Sequence, residues 1–243
     1  MKISIITPSF NQGEYIEQTI LSVLNQSYKN FEHIICDGGS TDRTIHILKK
    51  YKHLIWVSEK DAGQSDALNK ALSMCTGDII GWINSDDYYH SDNIFEYVIS
   101  KYTPTTNWII GGTSKLINNE VILNPYKIIT KKSVFTNCDY LRSPASFYKY
   151  EMLKDVGGIN KNLHQVMDYE LYIKLLNKNY NPINFKKTFT VFRVHPEQKT
   201  NPNNLVQQYK EIIVINLKYK LYYSLFNKSI KLFIQYILLK LNK

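Results

Sequence analysis

Apolar residues in the first hundred positions fall into two alternating rhythms. ISIIT (3–7), EHIIC (32–36), LIWVS (54–58) and DIIGWI (78–83) are short, β-branched runs bounded by polar residues, the pattern of buried strands. Between them, EYIEQTILSVLNQ (14–26) places Ile16, Ile20, Val23 and Leu24 on one helical face. TDRTIHILKKY (41–51), QSDALNKALSMC (64–75) and NIFEYVISKY (93–102) read as the helices that follow the next three strands. This cycle predicts an α/β fold, Rossmann-like, with a mostly parallel sheet covered by helices on both faces.

Beyond about residue 105 the rhythm changes. NWIIGGTSKLINNEVIL suggests a strand followed by a hairpin, and SFYK (146–149) a short strand. MDYELYIKLLNKN (167–179) has helical spacing, and INFKKTFTVFRVH (183–195) alternates like a strand. The expected organisation is one domain over residues 1–200, with halves of about 1–105 and 106–200, and a tail over 201–243. From Leu205 onward the tail carries Lys210, Lys218, Lys220, Lys228, Lys231, Lys240 and Lys243 against a single acid, Glu211, interleaved with apolar residues. Such a basic amphipathic helix suits either an anionic membrane surface or packing on the domain.

In open parallel sheets, ligands sit beyond the carboxyl ends of the strands. Those ends are TPSFN (7–11), CDGGSTD (36–42), SEKDAGQSD (58–66) and NSDD (84–87), all polar and three of them acidic. Adjacent Asp86 and Asp87 repel each other, so a divalent cation is one expected partner; a solvated turn capping the next helix is the other. Asp37 can accept hydrogen bonds from a base or sugar, whereas Ser40, Thr41 and Asp42 suit a helix cap. Asp168, at a helix start, fits either catalysis or simple helix-dipole complementarity. His195, at a strand end before Pro196, can complete an oxygen-rich metal site or be structural.

Totals narrow the classes. The 243 residues suffice for a sizeable core, and 44% hydrophobic with 13% aromatic content excludes a largely disordered chain. A formal net charge of +9 favours anionic partners, and its concentration in the tail ranks nucleic acid last. Three cysteines without a CxxC pair indicate neither a zinc site nor a disulfide framework and fit a reducing cytoplasm. No uncharged apolar run approaches the ~18 residues of a membrane span, and the N-terminus lacks the form of a signal peptide.

Taken in order, these segments resemble the inverting nucleotide-sugar glycosyltransferases of family 2, with the GT-A fold. SIITPSFNQGEYIEQTILSVLNQSYKNFEHIICDGGSTDRT is similar to the family's donor-binding start, and WVSEKDAGQSDALNKALSMCTGDIIGWINSDDYY to the stretch ending in its metal motif. The similarity continues through PASFYKYEMLKDVGGIN, MDYELYIKLL and FRVHPEQKT, roughly the first 200 residues. It implies that Pro8, Ser9 and Phe10 line the nucleotide pocket, that Asp37 recognises the base, and that Asn69, Asn84 and Ser85 lie near the donor. It implies Asp86 as chief ligand of Mn²⁺ or Mg²⁺, His195 as an additional ligand, Asp87 behind them, and Asp168 as general base. The implied partners are a nucleoside-diphosphate sugar, UDP-linked by preference, and a glycan or lipid-linked acceptor of the kind used in surface-polysaccharide assembly. Such an acceptor would place the protein in the cytoplasm, on the inner face of the membrane. Two departures stand out: Asn84 occupies the first position of the usual Asp-x-Asp, and Gly38 stands where many relatives carry a second acid. A sugar nucleotidyltransferase is the rival enzyme, disfavoured because TPSFNQGEY lacks a Gly-rich basic loop; a membrane-associated binding protein without activity is the non-enzymatic rival.

Overall fold

The computed structural model describes residues 1–136, 143–199, 204–222 and 224. Its first half follows the alternation read above: β1 (Ile3–Ser9), α1 (Ile16–Leu24), β2 (Phe31–Asp37), α2 (Thr44–Leu48), β3 (Leu54–Ser58), α3 (Gln64–Met74), β4 (Ile79–Trp82), β5 (Tyr88–Tyr89) and α4 (Ile94–Lys101). The second half contains β6 (Trp108–Ile117), β7 (Glu120–Leu123), α5 (Lys131–Thr136), β8 (Ser146–Lys149), α6 (Tyr150–Asp155), α7 (Met167–Asn177), β9 (Ile183–Arg193) and α8 (Leu205–Lys218). The strands form one sheet in the order β3-β2-β1-β4-β8-β6-β9-β5, with β7 paired to β6. β1 to β4 are mutually parallel, and β8 runs antiparallel to both β4 and β6, so the sheet is mixed in its second half.

Strand alternation sorts the core into layers. Ile80 and Trp82 of β4 and Trp108 and Ile110 of β6 pack with α3, α7 and α8, whereas Ile79 and Ile109 pack with Phe95 of α4, Phe147 and Phe189. A third cluster joins Ile16 and Ile20 to Ile35, Ile47 and Leu54. The hairpin between β6 and β7 turns through Asn118 and Asn119, both at positive φ (50° and 65°), as a tight hairpin turn requires. α8 ends at Lys218, with Lys220 at φ 56°; residues 225–243 lie outside the described segments, as does Cys138.

At the sheet's amino-terminal edge, buried Glu32 accepts hydrogen bonds from Lys2 Nζ (2.6 Å), Ser4 Oγ (2.5 Å), Thr76 N (2.7 Å) and Thr76 Oγ1 (2.9 Å). Burial alone would raise its pKa, but these donors outweigh it and hold the carboxyl at about 2. Next to it, burial pushes the fully enclosed His33 down to about 3 from an ordinary 6.5. Both groups bind protons more readily in the unfolded chain, so each contributes stability that is lost on acidification: His33 as pH falls from 6.5 towards 3, Glu32 from 4.5 towards 2. The urea midpoint is therefore expected to drop steadily from pH 7 to pH 4. A flat profile over that interval would contradict this account of the edge.

Candidate active site

The register of the parallel strands aligns Ser9 with Asp37 and Asp37 with Ser58, bringing the rim loops together. They open onto a cleft of about 780 Å³. Pro8, Ser9 and Phe10 line it after β1, Lys60 and Asp61 after β3, and Asn84, Ser85 and Asp86 after β4. Ser143, Asp168 and Lys199 enter from the second half of the chain.

The adjacent carboxylates of Asp86 and Asp87 have separate surroundings. Asp87 is 1% exposed; its Oδ2 accepts from Asn84 Nδ2 (3.0 Å) and its Oδ1 from Arg193 N (3.2 Å). Burial, reinforced by the neighbouring Asp86, raises its pKa well above the ordinary aspartate value. Asp86 instead meets His195, whose Nε2 lies 3.0 Å from Asp86 Oδ2. The His195 ring packs on Tyr15 at 4.6 Å, and its backbone N–H donates to Gln198 Oε1 (3.2 Å). Thr19 Oγ1 donates to the carbonyls of both Ser85 (2.9 Å) and Asp87 (2.6 Å), pinning the loop from below. Arg193 Nε reaches the Asp86 carbonyl (3.3 Å) while its guanidinium covers the Tyr15 ring at 5.0 Å.

Asn84 shows why an amide stands at the start of this motif. Its Oδ1 accepts from Gln64 Nε2 (3.0 Å) and Trp82 Nε1 (2.9 Å), and its Nδ2 donates to Asp87. An aspartate there would lose the N–H that donates to Asp87 Oδ2 and put a carboxylate oxygen in its place. The chain of hydrogen bonds continues through Gln64, whose Oε1 accepts from Lys199 Nζ at 2.6 Å. Burial lowers the Lys199 pKa to about 8, against the opposing pull of Asp168 and Glu211.

Asp168 occupies the first turn of α7. Its Oδ2 accepts from Ser143 Oγ (3.1 Å) and its Oδ1 from Tyr169 N (2.9 Å). Burial raises its pKa, and those donors together with the Lys199 charge restrain the rise. The result is a carboxylate that faces the cleft with a pKa above its ordinary value.

Two residues expected at the donor are engaged elsewhere. Asp37 is 2% exposed, and its oxygens accept from Gly39 N, Ser40 N, Ser40 Oγ and Ser58 Oγ, so it shapes its own loop and is absent from the cleft lining. Asn69 Nδ2 donates to Ser65 O (2.8 Å) and Ile159 O (2.7 Å), while its Oδ1 accepts from Ile159 N (3.0 Å). That clamps α3 to the loop after α6, and Asn69 does not line the cleft either. The carboxylate that does line it on this side is Asp61. A Cβ added to Gly38 would stand 3.0 and 3.2 Å from the two Asp61 oxygens, so the glycine leaves the space that Asp61 fills. Asp61, Gln64, Lys199 and Ser143 were not singled out from the sequence. Their signal was position alone: DAGQ at the β3 rim and EQK just after His195.

Among the described residues no group of three His, Cys, Asp or Glu side chains gathers as a metal site. The Asp86–His195 pair nevertheless offers a carboxylate oxygen and an imidazole nitrogen 3.0 Å apart, a donor set that could hold a divalent cation.

A parallel sheet continued by a mixed half, with a carboxylate motif after β4 and an acid at the start of a helix across the cleft, defines a GT-A glycosyltransferase. Residues 4–157 match the family described as glycosyl transferase family 2, and the chain belongs to that family. It is 29% identical over 185 residues to a chondroitin synthase of Escherichia coli, covering 71% of this chain and 26% of that protein. It is 40% identical over 98 residues to the putative teichuronic acid biosynthesis glycosyltransferase TuaG of Bacillus subtilis, covering 38% of each. The chain thus spans about a quarter to two fifths of the length of these two relatives. The fold is shared with S. aureus TarS 1-349 in complex with UDP-GlcNAc (TM-score 0.70, 18% identity, 89% of this chain and 66% of that one). It is also shared with the mannosyltransferase PcManGT of Pyrobaculum calidifontis in complex with GDP-Man and Mn²⁺ (TM-score 0.68, 16% identity, 95% and 69%).

Proposed function

We propose that the chain transfers a sugar from a UDP-sugar to a hydroxyl of a glycan or lipid-linked acceptor, with inversion at the anomeric carbon. The observation that carries this reading is the cleft itself: Asp86, in contact with His195, and Asp168, from distant parts of the chain, line one hollow of nucleotide-sugar size. TarS binding UDP-GlcNAc and PcManGT binding GDP-Man with Mn²⁺ support a nucleotide-sugar donor and a cation.

Asp86 and His195 would hold Mn²⁺ or Mg²⁺, with Asn84 and Asp87 fixing the orientation of the Asp86 loop. When bound, the cation supplies positive charge against the charge that develops on the departing nucleoside diphosphate. Asp168 accepts the proton of the acceptor hydroxyl as that oxygen attacks the anomeric carbon from the face opposite the leaving group. Lys199 adds a buried positive charge that opposes the burial-driven rise in the Asp168 pKa. Pro8, Ser9 and Phe10 form the nucleoside wall, and Asp61 is the acid that meets the nucleoside, in place of Asp37.

The decisive experiment incubates the protein with UDP-sugars and Mn²⁺ in the presence of oligosaccharide or lipid-linked acceptors, following UDP release and the product anomer by NMR. An α-linked donor is expected to give a β-linked product. Retained configuration, or sugar-1-phosphate and UTP consumption instead of UDP release, would overturn the proposal. The nucleoside wall has its own test. Gly38→Asp is expected to raise the donor KM about tenfold, the scale of one charge-assisted hydrogen bond, with kcat unchanged. An unaltered KM would remove Asp61 from donor recognition.

An acceptor on a lipid carrier would place the protein at the inner face of the cytoplasmic membrane. Among the described residues no helix is long and apolar enough to cross a membrane, and peripheral contact would fall to the basic residues of the C-terminal segment.

A further inference from the structure

Val166 occupies the N-cap position of α7 and contributes no side-chain hydrogen bond; within the helix Tyr169 N bonds to Asp168 Oδ1 (2.9 Å) and to the Val166 carbonyl (3.1 Å). The three amides that lead into the helix find their acceptor on α8. The Glu211 carboxylate, 7% exposed, accepts from His164 N (3.2 Å to each oxygen), Gln165 N (2.9 Å) and Val166 N (3.2 Å). Three consecutive amides thus converge on one carboxylate at the positive end of the helix dipole, two residues before Asp168. Gln207, one turn earlier on α8, steadies it by donating to Glu211 Oε1 (3.2 Å).

The rest of α8 holds the two helices in register. Asn216 Oδ1 accepts from Tyr169 OH (2.7 Å), Lys218 Nζ and Tyr219 OH donate to buried Glu170 Oε1 (2.7 and 3.1 Å), and Ile212 and Ile215 are buried in the shared core. The segment held by Glu211 also places Gln165, and Met167 just after it, in the cleft wall.

We propose that Glu211 is the positioning residue for Asp168: by holding the three amides that lead into α7, α8 sets where the base stands relative to the acceptor hydroxyl. This rests on the reading of Asp168 as the general base. A carboxylate displaced by about 1 Å from its productive geometry can lose ~10²-fold in rate without loss of substrate affinity.

Glu211→Ala and Glu211→Gln in the full chain test this, alongside Asp168→Asn and Glu32→Gln, the last a destabilising change at the opposite edge of the sheet. Glu211→Ala is expected to lower kcat by about 10–10²-fold with donor KM and UDP affinity unchanged. Glu211→Gln, which keeps one accepting oxygen, is expected to fall between Glu211→Ala and wild type. Glu32→Gln is expected to lower the melting temperature while leaving kcat intact, separating lost stability from lost positioning. If Asp168→Asn is inactive yet both Glu211 variants turn over at the wild-type rate, Glu211 does not position the base. If Glu211→Ala does not fold and Glu211→Gln keeps full kcat, the proposal also fails. Wild-type turnover in Asp168→Asn would instead remove the base itself, and the proposal with it.

Discussion

Asp168→Asn is expected to reduce transfer by about 10²–10⁴-fold, the usual worth of a positioned general base, while UDP-sugar binding measured by calorimetry stays at the wild-type value. Asparagine preserves the shape: its Oδ1 can still accept from Tyr169 N, while its Nδ2 can donate to the Ser143 hydroxyl, so the loop should hold its conformation. What disappears is the group that takes the acceptor proton. In the wild-type enzyme the raised Asp168 pKa also fixes the direction of the acid limb: turnover declines as pH falls through that elevated value, at a higher pH than an ordinary exposed aspartate would give. A near wild-type rate in the asparagine variant would require a different base.

Asp86→Ala is expected to cost about 10³-fold in transfer, since electrostatic stabilisation by a metal is worth several kcal/mol, and to abolish the dependence of donor affinity on Mn²⁺. The contrast with Asp168→Asn lies in the binding step. Titrating UDP with and without Mn²⁺ should show cation-enhanced affinity in the wild type and in Asp168→Asn, and none in Asp86→Ala. Cation-enhanced affinity that survives the loss of Asp86 would mean the ion is held elsewhere.

Much of this geometry was legible in the chain because it depends on local rhythm. β1 to β4, α1, α3, α4 and α7 follow from apolar spacing, and Asp86, Asp168 and His195 sit at element ends where a rim site is expected. Side-chain direction was not legible. Asp37 and Asn69 have residue types suited to ligand contact, but their partners come from the turn after β2, from Ser58 and from Ile159, ninety residues from Asn69. The insertion of antiparallel β8 between β4 and β6, and the two-residue β5 held against β9, likewise arise from tertiary pairing that no short window contains. Glu211 was noted only as the lone acid of a basic tail. Its role depends on three amides more than forty residues upstream.

The family similarity extends over residues 4–157, yet the cleft is completed by Asp168 and Lys199, His195 contacts Asp86 from just beyond β9, and the helix bearing Asp168 is braced by a still later segment. A laboratory that trims an expression boundary to the recognisable region would retain Pro8, Ser9, Phe10 and Asp86 and discard Asp168 and Lys199. Swaps between relatives have a natural seam for the same reason. On the proposed reading, exchanging the segment before β6 should change what is donated, while Asp168 and Lys199 travel together with the segment after it.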